Sequence, residues 1–323
     1  MFSKLNEPIK RDKSDKKKLK KVTYVFYEIK YPTQKSIIFA PLHFMKYYYM
    51  KLKSKFYITF LLLSINCLVL FAKQVDTVYV HSQSMKKQIE NVIILPADYD
   101  QQSQCPVIYL LHGYGGNHKS WLQIHTGLPD LATRYGIIIV CPNGKNSWYW
   151  DSPVDPAMQY ETYVAKELVS YIDNNYKTLK NKEGRAITGL SMGGHGGLWL
   201  GFRHTDTFGA CGSTSGGVDI RPFPANWEMS KSLGNYRENK ERWNEHTVIT
   251  QLYRIQSGAP AIIIDCGTDD FFYEVNETLH KKLLYNQIQH NYITRPGGHD
   301  GTYWRNSIEY QLLFFNLFFK NKK

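Results

Sequence analysis

From Val75 onward the chain alternates short β-branched runs with stretches of helical period, the pattern of a mostly parallel sheet covered by helices. About eight strands are expected. Val75–His81 and Gln88–Leu95 alternate apolar with polar residues and suit an antiparallel edge pair. Val107–Leu111, Ile137–Cys141, Ala186–Leu190, Gly209–Thr214, Ala261–Asp265 and Asn291–Thr294 read as buried strands. In a helix spanning about Gln159–Asn174, Val164, Leu168 and Ile172 recur at every fourth position, with Glu161, Lys166 and Glu167 elsewhere on the wheel. Further helices are expected over about Phe272–Gln287 and Tyr303–Phe319, the latter packing Phe314, Phe315, Phe318 and Phe319 on the sheet. Residues 218–250 carry neither period and interrupt the rhythm. A segment of that length inside one domain reads as a functional excursion such as a lid.

Upstream the pattern changes. Residues 1–49 run through Lys10-Arg11-Asp12-Lys13 and Lys16-Lys17-Lys18 to Tyr47-Tyr48-Tyr49 without a sustained period, and predict no packed core. From Met50 a short cationic stretch leads into the uncharged, apolar run Phe56–Ala72. That is the pattern of a secretory signal peptide starting at Met50, so residues 1–49 read as a disordered or non-native extension. At 17 residues the run is long for a cleaved leader and barely enough to cross a bilayer. Two readings stay open: a secreted or periplasmic protein, or one anchored by residues 56–72.

Charge has to be read by segment. The chain of 323 residues carries a formal net charge of +12, but residues 1–72 hold +11 of it, leaving 25 basic and 24 acidic side chains in 73–323. The nearly neutral body lacks the basic stripe that phosphate backbones require, which excludes nucleic-acid binding there. The only expected membrane contact is the leader. Export would put Cys105, Cys141, Cys211 and Cys266 where disulfides are permitted, although Cys141 and Cys266 close apolar runs and read first as core residues. With no CxxC and no His/Cys cluster, neither a metal nor another cofactor is expected.

The chemistry concentrates in a few places. Gly189-Leu-Ser191-Met-Gly193 lies between a buried strand and a helix. The glycines suit a turn so sharp that a Cβ two residues before or after the serine would strike neighbouring backbone. A serine hydroxyl is a weak nucleophile and needs a base oriented by an acid. Of the histidines beyond Ser191, only His299 sits in a glycine-flanked loop after the last expected strand, whereas His195 reads as structural. Asp265, Asp269 and Asp270 compete for the acid; Asp270 falls past the turn begun by Gly267, from which a side chain can swing towards His299. Leu111-His112-Gly113-Tyr114-Gly115-Gly116 offers one backbone donor for an oxyanion, at Tyr114, and Met192 offers the second. The loop lacks the Lys-Ser/Thr of a phosphate-binding loop.

Together these residues resemble the esterase D-like branch of the α/β hydrolases, which includes S-formylglutathione hydrolases, family-one carbohydrate esterases acting on feruloyl and acetyl esters, tributyrin esterases and mycolyltransferases. The likeness spans about residues 85–320 and rests on His112-Gly-Tyr-Gly-Gly116, Gly189-Leu-Ser-Met-Gly-Gly194, Cys266-Gly-Thr-Asp-Asp270 and Gly297-Gly-His299. It implies an α/β-hydrolase fold, an acid at Asp270 and an oxyanion donor at Tyr114. An export signal disfavours a cytosolic glutathione thioester and favours small-molecule or polysaccharide esters. Trp148, Tyr149 and Trp150 then offer two readings: they stack on a feruloyl ring or a sugar, or they only wall the pocket or pack under the 218–250 excursion. Two rival functions share the sequence: acyl transfer to a sugar or lipid alcohol, and a non-catalytic carbohydrate-binding module on a hydrolase fold.

Overall fold

The computed structural model describes residues 74–255 and 259–321, so the basic extension and the apolar run 56–72 lie outside the described residues. All eight expected strands are present: β1 (Val75–Ser82), β2 (Lys87–Ile94), β3 (Val107–Leu111), β4 (Ile138–Pro142), β5 (Arg185–Gly189), β6 (Ala210–Thr214), β7 (Ala261–Gly267) and β8 (Asn291–Arg295). They form one sheet in the order β1-β2-β4-β3-β5-β6-β7-β8. β1 and β2 pair antiparallel, as does β2 with β4, and every other pairing is parallel. This is the α/β-hydrolase fold.

Both faces of the sheet are covered, and the pleat sorts the residues. Val107, Tyr109 and Leu111 of β3 join one core with Val140, Ile187, Ile262 and Ile264. Ile108 and Leu110 join the other with Ile139, Ala186 and Ile263. A strand buried on both faces shows a continuous apolar run instead of an alternation, which is why the central strands stand out in the sequence.

The first core is roofed by the 160–175 segment, Met192–Arg203 and Tyr273–Tyr285. The second is covered by Leu128–Tyr135 and Gly301–Asn321. Val164, Leu168 and Ile172 are buried as their spacing demands, although Tyr163–Leu168 widens into a π-turn. Phe315 and Phe319 are buried, while Phe314 and Phe318 pack half-exposed beside them.

One expectation needs correction. β8 is not buried; its residues are half-exposed or exposed because it has a single neighbour, β7, and closes the sheet at its edge. The aperiodic 218–250 segment contains two short helices, Met229–Leu233 and Lys240–Glu245, and a 3-10 turn, Val248–Thr250. It sends Val218, Ile220, Leu233 and Trp243 into the first core. Among the described residues no helix is long and apolar enough to cross a membrane. Cys141, Cys211 and Cys266 are buried thiols, and Cys105 donates from Sγ to Gln102 Oε1 at 3.0 Å.

The helix Met192–Arg203 lies so close to the sheet that a Cβ at Gly197 would come 2.4 Å from Gly212 O and 2.9 Å from Thr188 Cα, both backbone atoms. Overpacking of this kind costs about 1–3 kcal/mol. Gly197→Ala is expected to lower the melting temperature by about 3–10 °C in calorimetry; an unchanged transition would show that helix and sheet can part at no cost.

Candidate active site

Ser191 is presented by the turn between β5 and the helix Met192–Arg203. Its backbone has φ 55° and ψ −118°, a conformation that L-residues avoid and that the surroundings must impose. The Ser191 N–H donates to Thr214 O at 2.9 Å, and its carbonyl accepts from His195 N at 3.0 Å. A Cβ at Gly189 would stand 2.5 Å from Leu111 O, and one at Gly193 would stand 2.4 Å from the same oxygen. Both glycines are therefore required by contact, as the motif implied.

Two further segments converge on this turn. After β8, Pro296-Gly-Gly leads to His299, with Gly297 at φ +144°. After β7, Gly267 backs directly onto the Gly297 carbonyl, and the chain turns to Asp270. His299 Nε2 lies 2.9 Å from Ser191 Oγ and its Nδ1 lies 2.8 Å from Asp270 Oδ2. The carboxylate is fixed in turn by Phe272 N–H, which donates to Oδ1 at 2.8 Å. An acceptor-only carboxylate at Nδ1 sets the tautomer with the proton on Nδ1, leaving Nε2 to accept the serine O–H.

The other two carboxylates stand elsewhere. Asp265 is fully buried in a separate network, and Asp269 is exposed. Asp300, beside His299, accepts from Thr302 N and Tyr303 N at the start of the last helix.

Beside Ser191 Oγ run two backbone segments that the sequence singled out. Among the described residues, the N–H groups of Tyr114 and Met192 donate to no protein acceptor. Their neighbours do: Gly115 N–H goes to Asn146 Oδ1 at 2.8 Å and Gly193 N–H to Leu190 O at 2.6 Å. Met192 is the first residue of a 12-residue helix, so its N–H adds to the positive end of the helix dipole.

The loop bearing Tyr114 is braced from below. His112 Nδ1–H donates to Gly113 O at 2.7 Å while Nε2 accepts from Gly144 N–H at 2.9 Å. Trp121 Nε1 donates to Leu111 O, and Tyr149 Oη to His112 O.

Trp148, Tyr149 and Trp150 do not face a substrate. They are at most 1% exposed and stand beneath the site, so the stacking expectation is corrected. Trp150 Nε1 donates to His195 Nε2 at 2.8 Å, Trp148 stacks on Trp150 at 5.6 Å, and Tyr149 supports the His112 loop. Aromatic composition could not separate a pocket wall from the layer under it.

The residues that do line the cleft above Ser191 and His299 are Tyr114, Trp227, Phe271 and Trp304, with Ile124 and Leu190, around a cavity of about 380 Å³. Phe271 lies 4.2 Å from the His299 ring and stacks with Trp227 at 5.9 Å, and Trp304 meets His299 edge-on at 5.0 Å. Trp227, Phe271 and Trp304 went unassigned in the sequence. Phe271 and Trp304 are near neighbours of Asp270 and His299, an adjacency that does point to them.

An eight-stranded, mostly parallel sheet with a Ser-His-Asp hydrogen-bonded line at its carboxyl edge defines a serine hydrolase of the α/β-hydrolase class. Residues 82–315 match the family described as Putative esterase, and the chain belongs to that family. It is 27% identical over 248 residues to an acetyl esterase of Caldicellulosiruptor saccharolyticus, an alignment covering 71% of this chain and 92% of the relative.

Among solved structures it resembles a ferulic acid esterase, with TM-score 0.65 and 27% identity over 76% of this chain and 98% of the other. It shares its fold with the fluorophosphonate-binding serine hydrolase F of Staphylococcus aureus, with TM-score 0.68 and 20% identity over 75% and 98% of the two chains. The chain is a serine carboxylic ester hydrolase of the esterase D-like branch.

The two buried histidines behind the site share one pattern. His195 Nε2 accepts from Trp150, and its Nδ1–H donates to Gly217 O at 2.9 Å, so a second proton on Nε2 would meet an N–H head-on. The same holds for His112. Burial lowers His195 to about 3 and His112 to about 4.

Both are neutral when folded, whereas the unfolded chain takes up protons below about pH 6.5. Their contribution to stability is complete above that value and is lost as the pH falls. Between pH 7 and 5, before most carboxylates titrate, the unfolding free energy is expected to fall by roughly 2 kcal/mol for each of the two. Urea titrations across that range check it, and a flat profile would contradict the neutral assignment.

Proposed function

We propose that this chain is an exported serine carboxylesterase that removes compact or aromatic acyl groups, of acetyl or feruloyl type, from polysaccharides or small alcohols. The observation that carries the reading is the unbroken line Ser191 Oγ, His299 and Asp270, at 2.9 and 2.8 Å, beside two uncommitted backbone N–H groups.

Ser191 Oγ attacks the ester carbonyl as His299 Nε2 takes its proton. Asp270 holds the imidazole orientation and stabilises the imidazolium. The negative oxygen of the tetrahedral intermediate is received by the N–H groups of Tyr114 and Met192. His299 then returns its proton to the departing alcohol, and water resolves the acyl-enzyme by the same route.

The apolar, aromatic lining of the cavity supports an uncharged acyl or alcohol group, and its volume, near the low end of ligand pockets, supports a compact one. The acetyl esterase relative and the ferulic acid esterase neighbour support the two acyl types. Export is supported by the cationic start at Met50 and the apolar run after it.

Ser191→Ala is expected to abolish hydrolysis of p-nitrophenyl acetate; turnover at the wild-type level would reject the assignment. Asp270→Asn is expected to lower kcat by about 10³–10⁴-fold, because an amide at that position favours the wrong histidine tautomer. Methyl ferulate, acetylated xylan and tributyrin assayed side by side decide the acyl type, and Trp227→Ala should weaken kcat/KM for methyl ferulate more than for p-nitrophenyl acetate. Equal losses on the two substrates would remove Trp227 from acyl selection.

A further inference from the structure

One buried carboxylate takes no part in this chemistry. Asp265, on β7, is fully buried together with Ser307, Gln311 and Thr188, and Thr214 beside them is 1% exposed. Ser307 Oγ donates to Asp265 Oδ1 at 2.5 Å, while Gln311 Nε2 and Thr214 Oγ1 donate to Oδ2 at 2.8 and 3.1 Å. Gln311 also donates to Thr214 Oγ1 at 2.7 Å and accepts from Thr188 Oγ1. Arg295 donates to Ser307 Oγ at 2.7 Å and stands 3.9 Å from the carboxylate itself. The donors all run one way, towards Asp265, as suits an acceptor-only carboxylate; burial pushes its carboxyl up, and the bonds from Ser307, Gln311 and Thr214 with the Arg295 charge oppose that rise.

The membership of the network is more telling than its satisfaction. Thr188 lies on β5, three residues before Ser191. The backbone carbonyl of Thr214 receives the Ser191 N–H at 2.9 Å. Asp265 lies five residues before Asp270, and its own carbonyl receives Ser215 N–H at 2.8 Å. Arg295 and Ser307 flank the loop that carries His299, one at the end of β8 and the other on the helix Gly301–Asn321. All three segments that carry the Ser-His-Asp line are thus tied to one carboxylate, on the face of the sheet covered by the helix Gly301–Asn321.

We infer that Asp265 is a positioning residue for ester hydrolysis: through Thr188, Thr214, Ser307 and Arg295 it holds the segments bearing Ser191, Asp270 and His299 in mutual register. This rests on the roles proposed above for those three residues. Asp265→Asn preserves shape but turns an N–H against donors, so part of the network must let go and the three segments are freed to shift against one another. Displacement by about 1 Å of groups that must be aligned in the transition state costs up to a hundredfold in rate without a matching cost in substrate binding.

The test compares wild type with Asp265→Asn and Ser307→Ala, each assayed well below its own melting temperature. Turnover of p-nitrophenyl acetate and the rate of serine phosphonylation by a small fluorophosphonate are both measured, normalised to folded protein. Asp265→Asn is expected to lower kcat by about ten- to a hundredfold with KM within twofold, and to slow phosphonylation in parallel. Ser307→Ala, which leaves Gln311 and Thr214 on the carboxylate, should lower kcat less, by about three- to tenfold.

A kcat per folded molecule within twofold of wild type in Asp265→Asn overturns the inference, whatever happens to the melting temperature. If Asp265→Asn does not fold, Ser307→Ala decides by the same criterion. A wild-type protein inert to both ester and fluorophosphonate would sink the proposed function instead, so the two failures are distinguishable.

Discussion

The site depends on one constraint: the backbone at Ser191 has to stay in a conformation it would leave if free. A non-glycine residue at φ 55° and ψ −118° costs of order 1–3 kcal/mol, and persists only where its surroundings over-determine it. Here the strand β5, the helix Met192–Arg203 and the loop after β3 meet so tightly that Gly189 and Gly193 have no room for a Cβ. The hydrogen bond from Ser191 N–H to Thr214 O closes the remaining freedom. The strain is useful because it lifts Oγ out of the turn to within 2.9 Å of His299 Nε2, beside the start of the helix at Met192.

Holding that turn takes a rigid underlayer, and this underlayer absorbs most of the polar and aromatic residues near the site. His112 and His195 each act as a neutral donor-acceptor link, one between the Tyr114 loop and Gly144, the other between Trp150 and Gly217. A buried imidazole satisfied at both nitrogens gives direction to a contact that an apolar side chain could not supply, and its cost is sensitivity to acid. The tryptophans at 148 and 150 pack around His195 at ring distances of 5.2 Å, which fixes the ring against rotation.

The fold was legible because its signal is local and repeated. Strands covered on both faces read as apolar runs, and the helix 160–175 announced itself through Val164, Leu168 and Ile172. The edge position of β8 was not legible: Tyr292 and Ile293 look the same whether a neighbouring strand follows or not, and strand order is set by contacts far apart in sequence. At the site, Ser191 and His299 were readable because glycines mark backbone that must turn sharply.

Asp270 was separable from Asp265 and Asp269 only by its place past a turn, together with family likeness. For Trp148, Tyr149 and Trp150 the sequence leaves stacking on a substrate and packing beneath it both open, because a side chain's depth below a pocket floor has no linear signature. Trp227 was hidden for the opposite reason, in a segment without period whose placement depends on Phe223, Phe271 and Phe272.

The distribution of polarity in the cleft bears on selectivity. Hydrogen-bonding groups cluster where the ester carbonyl would lie, at Ser191, His299 and the N–H groups of Tyr114 and Met192. The rest of the wall is mostly apolar, with Trp227, Phe271, Trp304, Ile124 and Leu190, and adds only the hydroxyls of Ser120 and Tyr114. A wall of this kind discriminates by shape, and shape discrimination is shallow: one methylene more or less in an apolar pocket is worth about 1–3 kcal/mol. Steep selection requires buried polar groups that the wrong substrate leaves unpaired. The nearly balanced charge of residues 73–323 likewise supplies no strong field to steer an ionic substrate. On the proposed function, the chemistry at the reacting carbonyl would be tightly specified while the acyl and alcohol groups would be graded by fit, an arrangement suited to a set of related neutral esters in preference to a single one.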